Sequence, residues 1–252
     1  SGEEKEKIRI IELEKEQKRI SNTIKVYSTD YSFSEEIPAT KTINLIEAKK
    51  NLSWQMSGLN LQNSVGNIYL PGIDKKFIKK KVGKNKFLLS RNIPPPLIFD
   101  NNIYLFDDTG SIFKISSRGK KIWKKNIYKK IYKKMQKRLS LIIYNDYIYV
   151  SDNIGFIYAL NSENGKLIWI KNHGIPLKSK LKVFDNKIFV INQDNRLLCL
   201  DVKNGAKLWD VRFVSSFVKS QYLLSIAISE EGDLVMLNSS GDLIKMNALN
   251  GK

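Results

Sequence analysis

From about residue 95 onward the chain alternates between apolar runs of strand length and short polar clusters built from Asp, Asn and Gly. Phe156-Ile157-Tyr158-Ala159-Leu160 is one such run, and Leu181 to Ile191 is a pair of runs folded about Asp185-Asn186. Ile, Val, Tyr and Phe dominate these segments, the composition of a strand rather than of a short helix. Asp-Asn and Asn-Gly steps tolerate the positive φ that tight hairpin turns require. The pattern predicts a succession of short antiparallel strands.

The strands recur in register. Asp100-Asn101-Asn102-Ile103-Tyr104, Asn145-Asp146-Tyr147-Ile148-Tyr149, Asp185-Asn186-Lys187-Ile188-Phe189 and Glu231-Gly232-Asp233-Leu234-Val235 align on their apolar pair. Seven residues beyond the Ile or Leu stands a second turn position: Gly110, Gly155, Asn195, Gly241. Nine or ten further on come Gly119, Gly165, Gly205 and Gly251, and four beyond these come Trp123, Trp169 and Trp209. The Trp spacings are 46 and 40, which puts the next one near 255, past the last residue. Units of about 40–45 residues with several short antiparallel strands match propeller blades; ankyrin and tetratricopeptide units are shorter and helical. The expected organisation is an N-terminal arm over 1–49 and a partial propeller over 50–252, with repeats at about 95–139, 140–178, 179–219 and 220–252 and one degenerate blade across 50–95. A blade cannot cover its own faces. A flat Trp at its edge is expected to pack on the next blade with its indole N–H on a backbone acceptor, and the Gly four residues earlier to allow the turn.

Ala159-Leu160-Asn161-Ser162-Glu163-Asn164-Gly165-Lys166-Leu167-Ile168-Trp169 resembles the tryptophan-docking motif of quinoprotein-type (PQQ-like) propeller repeats, with Ala first, Asp or Asn third, Gly seventh and Trp eleventh. Cys199, Asp201, Gly205 and Trp209 fit it with Cys for Ala; Lys245, Asn247 and Gly251 fit the part that is present; Ser116, Gly119 and Trp123 fit with one residue deleted. The resemblance implies an all-β propeller of four-stranded antiparallel blades, like the PQQ-like and WD40-like repeats. Such propellers usually have eight blades; about four or five are visible here. Eight at about 40 residues each need well over 300 residues, so the chain reads as a fragment or the product of a truncated gene.

Within that family, Trp54-Gln55-Met56-Ser57-Gly58-Leu59-Asn60 is similar to the opening segment of alphaproteobacterial outer-membrane assembly lipoprotein B (BamB-like) members. So is the run from Phe217 to Gly241, with Ser220-Gln221 and Asn238-Ser239-Ser240-Gly241-Asp242. That subfamily implies a non-catalytic periplasmic scaffold of the β-barrel assembly machinery, binding the barrel insertase or nascent outer-membrane proteins. It also implies a lipid anchor on the periplasmic face of a Gram-negative outer membrane, although no Cys stands near Ser1. The alternatives are a fragment of a PQQ-dependent dehydrogenase, which would use PQQ, calcium and a catalytic Asp, and a basic propeller for nucleic acid or anionic surfaces. The only Cys is Cys199, so the vicinal Cys-Cys pair of many dehydrogenases is missing. On the favoured reading there is no catalytic residue, no cofactor and no metal site.

Composition narrows the chemistry further. One Cys and one His among 252 residues exclude a disulfide framework, a Cys-based zinc site and His-rich metal sites. No apolar run approaches the ~18–20 residues that span a bilayer, and Ser1-Gly2-Glu3-Glu4-Lys5 lacks the apolar core of a secretory signal. The net charge is +18, and residues 71–138 alone carry 20 Lys/Arg against 4 Asp/Glu. Lys accounts for 36 of the 43 basic residues, beside 32 Ile and 23 Asn, the bias of an AT-rich coding sequence. Arg, the bidentate reader of phosphate and guanine, is scarce, so no specific nucleic-acid partner is expected.

Five segments stand apart from the repeats. Residues 3–19 are dense in Glu and Lys and read as a solvated tether; Ile8, Ile11 and Leu13 hint at a short amphipathic helix, while Lys7 to Leu13 also alternates weakly like a strand. Residues 120–138 hold ten basic residues and no acid; the fourfold spacing of Ile127, Ile131 and Met135 fits a basic amphipathic helix, while the repeat alignment favours the strand of Trp123 followed by an expanded connection whose lysines can meet anionic lipid. Asp194-Asn195-Arg196 replaces the turn Gly of the other repeats and is either drift at a turn or a presented partner-binding loop with an Arg anchor. His173 reads as part of a surface turn, and Pro94-Pro95-Pro96 as a rigid lead into a strand.

Overall fold

The computed structural model describes residues 2–21, 42, 44–70, 78–87, 94–213 and 224–252. The chain divides into two units, Ser1–Leu45 and Ile46–Lys252. In the first, α1 (Gly2–Ser21) is a helix in which Ile8, Ile10 and Ile11 are all exposed. No helix among the described residues is long and apolar enough to cross a membrane.

The second unit is a row of antiparallel sheets. The first holds β1 (Leu97–Phe99), β2 (Asn102–Phe106), β3 (Ile112–Ser116) and β4 (Lys121–Lys125), paired in chain order. The second holds β5 (Leu139–Tyr144), β6 (Tyr147–Asp152), β7 (Phe156–Asn161) and β8 (Leu167–Asn172). The third holds β9 (Lys182–Phe184), β10 (Lys187–Ile191), β11 (Arg196–Asp201) and β12 (Lys207–Arg212). The fourth has three strands among the described residues, β13 (Ser225–Ile228), β14 (Asp233–Leu237) and β15 (Leu243–Asn247). The first strands are neighbours across sheets, β1 beside β5, β5 beside β9 and β9 beside β13, so they form the inner side of an incomplete propeller.

The turn chemistry explains the hairpins. Asp100-Asn101, Asn145-Asp146 and Asp185-Asn186 each have both residues at positive φ, between 46° and 63°, the two-residue turn that matches strand twist. Each third–fourth strand pair also shifts register at the same place: Lys114/Ile115, Ala159/Leu160 and Cys199/Leu200. That bulge sits beside the Trp, which pairs with Lys114, Ala159 or Cys199.

The continuous apolar runs follow from blade stacking. In β7, Ile157 and Ala159 enter the core shared with the third sheet, while Tyr158 and Leu160 enter the core shared with the first. In β10, Ile188 and Val190 face the second sheet and Phe189 and Ile191 the fourth. A strand buried on both faces has no polar alternation to keep. Each such aliphatic contributes about 1.5–3 kcal/mol, so the cores between sheets hold the unit together.

Residues 120–138 adopt the strand-and-connection arrangement: β4, then a loop with one 3-10 turn at Lys130–Tyr132. β1 begins directly after Pro94-Pro95-Pro96. The described part of 50–95 holds no strand of any sheet, so it supplies a strap and a flanking segment where a degenerate blade was expected. Phe217, Ser220 and Gln221 lie outside the described residues.

Candidate functional site

Successive sheets are joined by the repeat Trp and Gly. An ideal β-carbon on Gly165 would lie 2.9 Å from the Trp123 ring, one on Gly205 2.5 Å from Trp169, and one on Gly251 2.9 Å from Trp209. Each Trp is half-buried and lies on the glycine of the following blade. The Trp123 indole N–H donates to the Ser162 carbonyl (3.1 Å) and that of Trp169 to the Val202 carbonyl (2.9 Å). The Trp209 indole N–H has no acceptor among the described residues. At the start of the row Ile78 takes the place of a Trp: it lies 3.4 Å from the β-carbon position of Gly119, and Lys80 Nζ donates to the Gly119 carbonyl (2.5 Å).

The inner side carries a second device. Residues 54–63 run as a strap across the first strands. Trp54 and Ile98 exchange two backbone bonds (2.7 and 2.9 Å), Ile143 N–H donates to the Gln55 carbonyl (2.8 Å), and Ile228 N–H donates to the Leu61 carbonyl (3.0 Å). Ile98, Ile143 and Ile228 occupy equivalent positions in β1, β5 and β13. In the third sheet a side chain does this work. Lys182 Nζ donates to the carbonyls of Ser57 (3.0 Å) and Asn60 (2.7 Å) and to Asn63 Oδ1 (2.7 Å). Asn63 Nδ2 in turn donates to the Ile226 carbonyl in β13 (2.9 Å). Lys182 is 1% exposed and no carboxylate is paired with it in these contacts; burial lowers its pKa from 10.5 to about 8. At the equivalent positions stand Leu97, Ile142 and Ala227. A lysine where two sheets have a large aliphatic was the signal for it in the sequence.

Short Asp and Asn side chains brace the second turn of each repeat. Asp107, Asp152, Asn192 and Asn238 each stand three residues before the second turn position, and their side-chain oxygens accept the backbone N–H groups of the turn. A pattern anchored on the turn Gly does not show this repeated Asx brace, because either Asp or Asn fills it. Asp152 also accepts the Tyr128 hydroxyl (2.6 Å), and burial raises the Tyr128 and Tyr158 phenols. Lys137, buried and with its pKa lowered by burial and by Lys86, donates to the Tyr132 carbonyl and lies over the Tyr128 ring.

The Asp194-Asn195-Arg196 turn is tied inward. Asn195 is buried at φ 56° and its Oδ1 accepts the Ser239 hydroxyl (2.6 Å), which links the third sheet to the fourth. Arg196 is paired with Asp210 across β11 and β12. His173 is half-buried, its backbone N–H bonded to the Gly155 carbonyl (2.8 Å). Cys199 is buried in the core between the third and fourth sheets, and burial pushes its thiol to about 12, out of nucleophilic range.

Open clefts lie among the described residues. One of about 400 Å³ is lined by Ile78, Lys80 and Arg118, and one of about 490 Å³ beside the strap by Met56, Leu59 and Glu230. Among the described residues no three His, Cys, Asp or Glu side chains converge on a metal position.

The comparisons with known proteins agree with this geometry. The chain is 25% identical over 151 residues to outer membrane protein assembly factor BamB of Salmonella typhimurium, covering 58% of this chain and 37% of that one. The crystal structure of BamB from Moraxella catarrhalis superposes with a TM-score of 0.50 at 18% identity, over 60% of this chain and 48% of that one. A quinohemoprotein alcohol dehydrogenase from Pseudomonas putida superposes with a TM-score of 0.60 at 15% identity, over 81% of this chain and 39% of that one, and shows the same type of fold. The chain spans half or less of the length of the curated relatives it matches. Residues 100–252, well over half of the chain, match the family described as outer membrane protein assembly factor BamB, and the chain belongs to that family.

Proposed function

We propose that this chain is a non-catalytic scaffold in the assembly of outer-membrane proteins, acting on the periplasmic side of a Gram-negative outer membrane. The match of residues 100–252 to the assembly-factor family carries this reading. The architecture supports it. The buried ionisable side chains Asp107, Asp152 and Lys182 are engaged in turn and strap bonds. The outer strands β4, β8 and β12 place Ile122, Ile168 and Leu208, the residue before each Trp, in solvent. Such a rim offers apolar contacts and strand edges to the barrel insertase or to a nascent outer-membrane protein. The Asp194-Asn195-Arg196 turn is a further contact point in this reading, with Arg196 half-buried and held at its edge by Asp210.

The test is calorimetry of the purified chain against the periplasmic domains of its own organism's insertase, with Ile168→Asp and Leu208→Asp as rim variants. Saturable binding that the rim variants weaken supports the reading; an insertase that does not bind overturns it. The dehydrogenase-like fold over 81% of the chain favours one rival, a fragment of a PQQ enzyme. Stoichiometric uptake of PQQ in the presence of calcium would select that rival.

A further inference from the structure

The connection from the first sheet to the second, residues 126–138, carries aliphatic side chains on a basic tip. Ile131 is 77% exposed and Met135 45%, and Lys129, Lys130, Lys133, Lys134 and Arg138 are all exposed around them. No acidic residue occurs between 120 and 138. The loop is built rather than loose. The Tyr128 hydroxyl is held by Asp152, Lys137 is buried against Tyr128 and the Tyr132 carbonyl, Lys137 N–H donates to the Asp108 carbonyl (2.9 Å), and Arg138 N–H donates to Asn153 Oδ1 (2.8 Å). Tyr128, Tyr132 and Phe156 pack edge to face beneath it. With Tyr128 and Lys137 turned inward, Ile131 and the remaining lysines are left outward.

The charge around the tip is one-sided. Asp107, Asp108 and Asp152 lie at the same end, and they accept bonds from Lys84 N–H, Phe87 N–H and the Gly155 turn. The exposed acids Asp100, Asp146, Asp185 and Glu231 lie in the first turn of each sheet, at the opposite ends of the strands.

We infer that this tip is a membrane-contacting element: its lysines meet anionic lipid headgroups while Ile131 and Met135 enter the headgroup–acyl boundary. Surface lysines gain from an anionic leaflet, and exposed aliphatics among them gain from the boundary as well. A nucleic-acid phosphate backbone would use the lysines and leave Ile131 in water, and it would favour Arg, of which the loop has only Arg138. The inference stands apart from the assembly role, since either can hold without the other.

Sedimentation of the full chain with vesicles tests it. The chain is expected to pellet with phosphatidylcholine vesicles containing about one-third phosphatidylglycerol, and to stay in solution with phosphatidylcholine alone. Replacing Lys129, Lys130, Lys133 and Lys134 with Gln should weaken binding about a hundredfold or more at low salt. Ile131→Asn should weaken it about tenfold, and still do so at salt that screens the lysines. The substituted residues are exposed, so thermal melts should match the parent. Folded variants that bind undiminished, or equal binding to uncharged vesicles, overturn the proposal. So does binding of an oligonucleotide in place of vesicles, lost in the lysine variant and kept by Ile131→Asn.

Discussion

Trp169 lies against Gly205 of the next blade so closely that a β-carbon there would meet its ring at 2.5 Å, while its indole N–H donates to the Val202 carbonyl at 2.9 Å. The glycine is thus both a turn residue, at φ +69°, and the floor on which the previous blade rests. Gly174 separates the two roles, since it has φ +72° with nothing within 4 Å of its β-carbon position. Gly174→Ala should cost about 1 kcal/mol from backbone strain alone. Gly205→Ala should cost about 2–4 kcal/mol, because the Trp must also move. Urea unfolding measures both. Equal costs would show that the docked ring gives way freely and that Gly205 is needed only for its turn.

The ring and its hydrogen bond are separable too. Trp169→Phe keeps an aromatic face over Gly205 and leaves the Val202 carbonyl without its donor, a loss of about 1 kcal/mol. Trp169→Ala also removes the packing against Tyr149, whose ring centroid lies 6.1 Å away, and should cost about 3–4 kcal/mol. Trp209, whose indole N–H has no acceptor among the described residues, should tolerate Phe with a smaller loss than Trp169 does. Indistinguishable Phe variants would mean that the Val202 bond contributes nothing.

Lys182 makes stability depend on alkaline pH. Its pKa is lowered from 10.5 to about 8, so between these values the unfolded chain binds more protons than the folded one. Stability therefore rises with pH across that window and is flat below it. Lys137 and Lys180, also lowered by burial, act in the same direction. The rise is opposed above about pH 10, where unfolded tyrosines ionise while burial holds Tyr104 and Tyr149 at about 12. Urea midpoints should climb from about pH 8 to about pH 10, by no more than about 3 kcal/mol from Lys182. Lys182→Met should flatten most of the climb; an unchanged slope would place its source elsewhere.

The strap and Lys182 should act as a unit. Asn63→Leu removes one of the three oxygen acceptors of the buried ammonium and the donor to the Ile226 carbonyl. The expected cost is about 2–3 kcal/mol. In a Lys182→Met background the same change should cost about 1 kcal/mol less, a coupling that a double-mutant cycle resolves. Strict additivity would mean that Asn63 supports β13 alone.

The blade repeat was legible because its turns demand particular residues at particular places. Asp-Asn and Asn-Asp pairs, Gly165, Gly205 and the Trp positions each answer a local backbone or packing need that few residues meet. The strap was visible as a family-like opening segment, Trp54 to Asn60, and its contacts were not. Its bonds to Ile98, Ile143 and Ile228 are backbone to backbone, and backbone groups leave no trace in residue identity. Ile78 in the docking position of Gly119 was hidden for a related reason: an aliphatic can fill that floor without the indole that marks the other three. Asn195 stood out as a missing glycine and read as either drift at a turn or a presented loop; its side chain accepts from Ser239 of the next sheet, a contact no single-repeat pattern encodes.

The fourth sheet carries the last prediction. Its Ile226, Ile228, Leu234, Met236 and Met246 are buried against the third sheet. On the alternate positions Leu237 is 43% and Leu243 74% exposed, and the two are paired across β14 and β15. This is an apolar strip on a twisted sheet that in the second and third sheets is covered by a neighbour. Apolar strips and open strand edges promote association, while the net charge of +18 keeps copies apart and salt weakens that repulsion. Light scattering should therefore show monomer at low salt and growing oligomers as salt is raised. Leu237→Glu with Leu243→Lys should hold the chain monomeric throughout, because the pair puts charge on the strip without changing the buried face. A parent chain that stays monomeric to high salt would show that the strip is too small to associate; oligomers that persist in the double variant would place the contact on another surface.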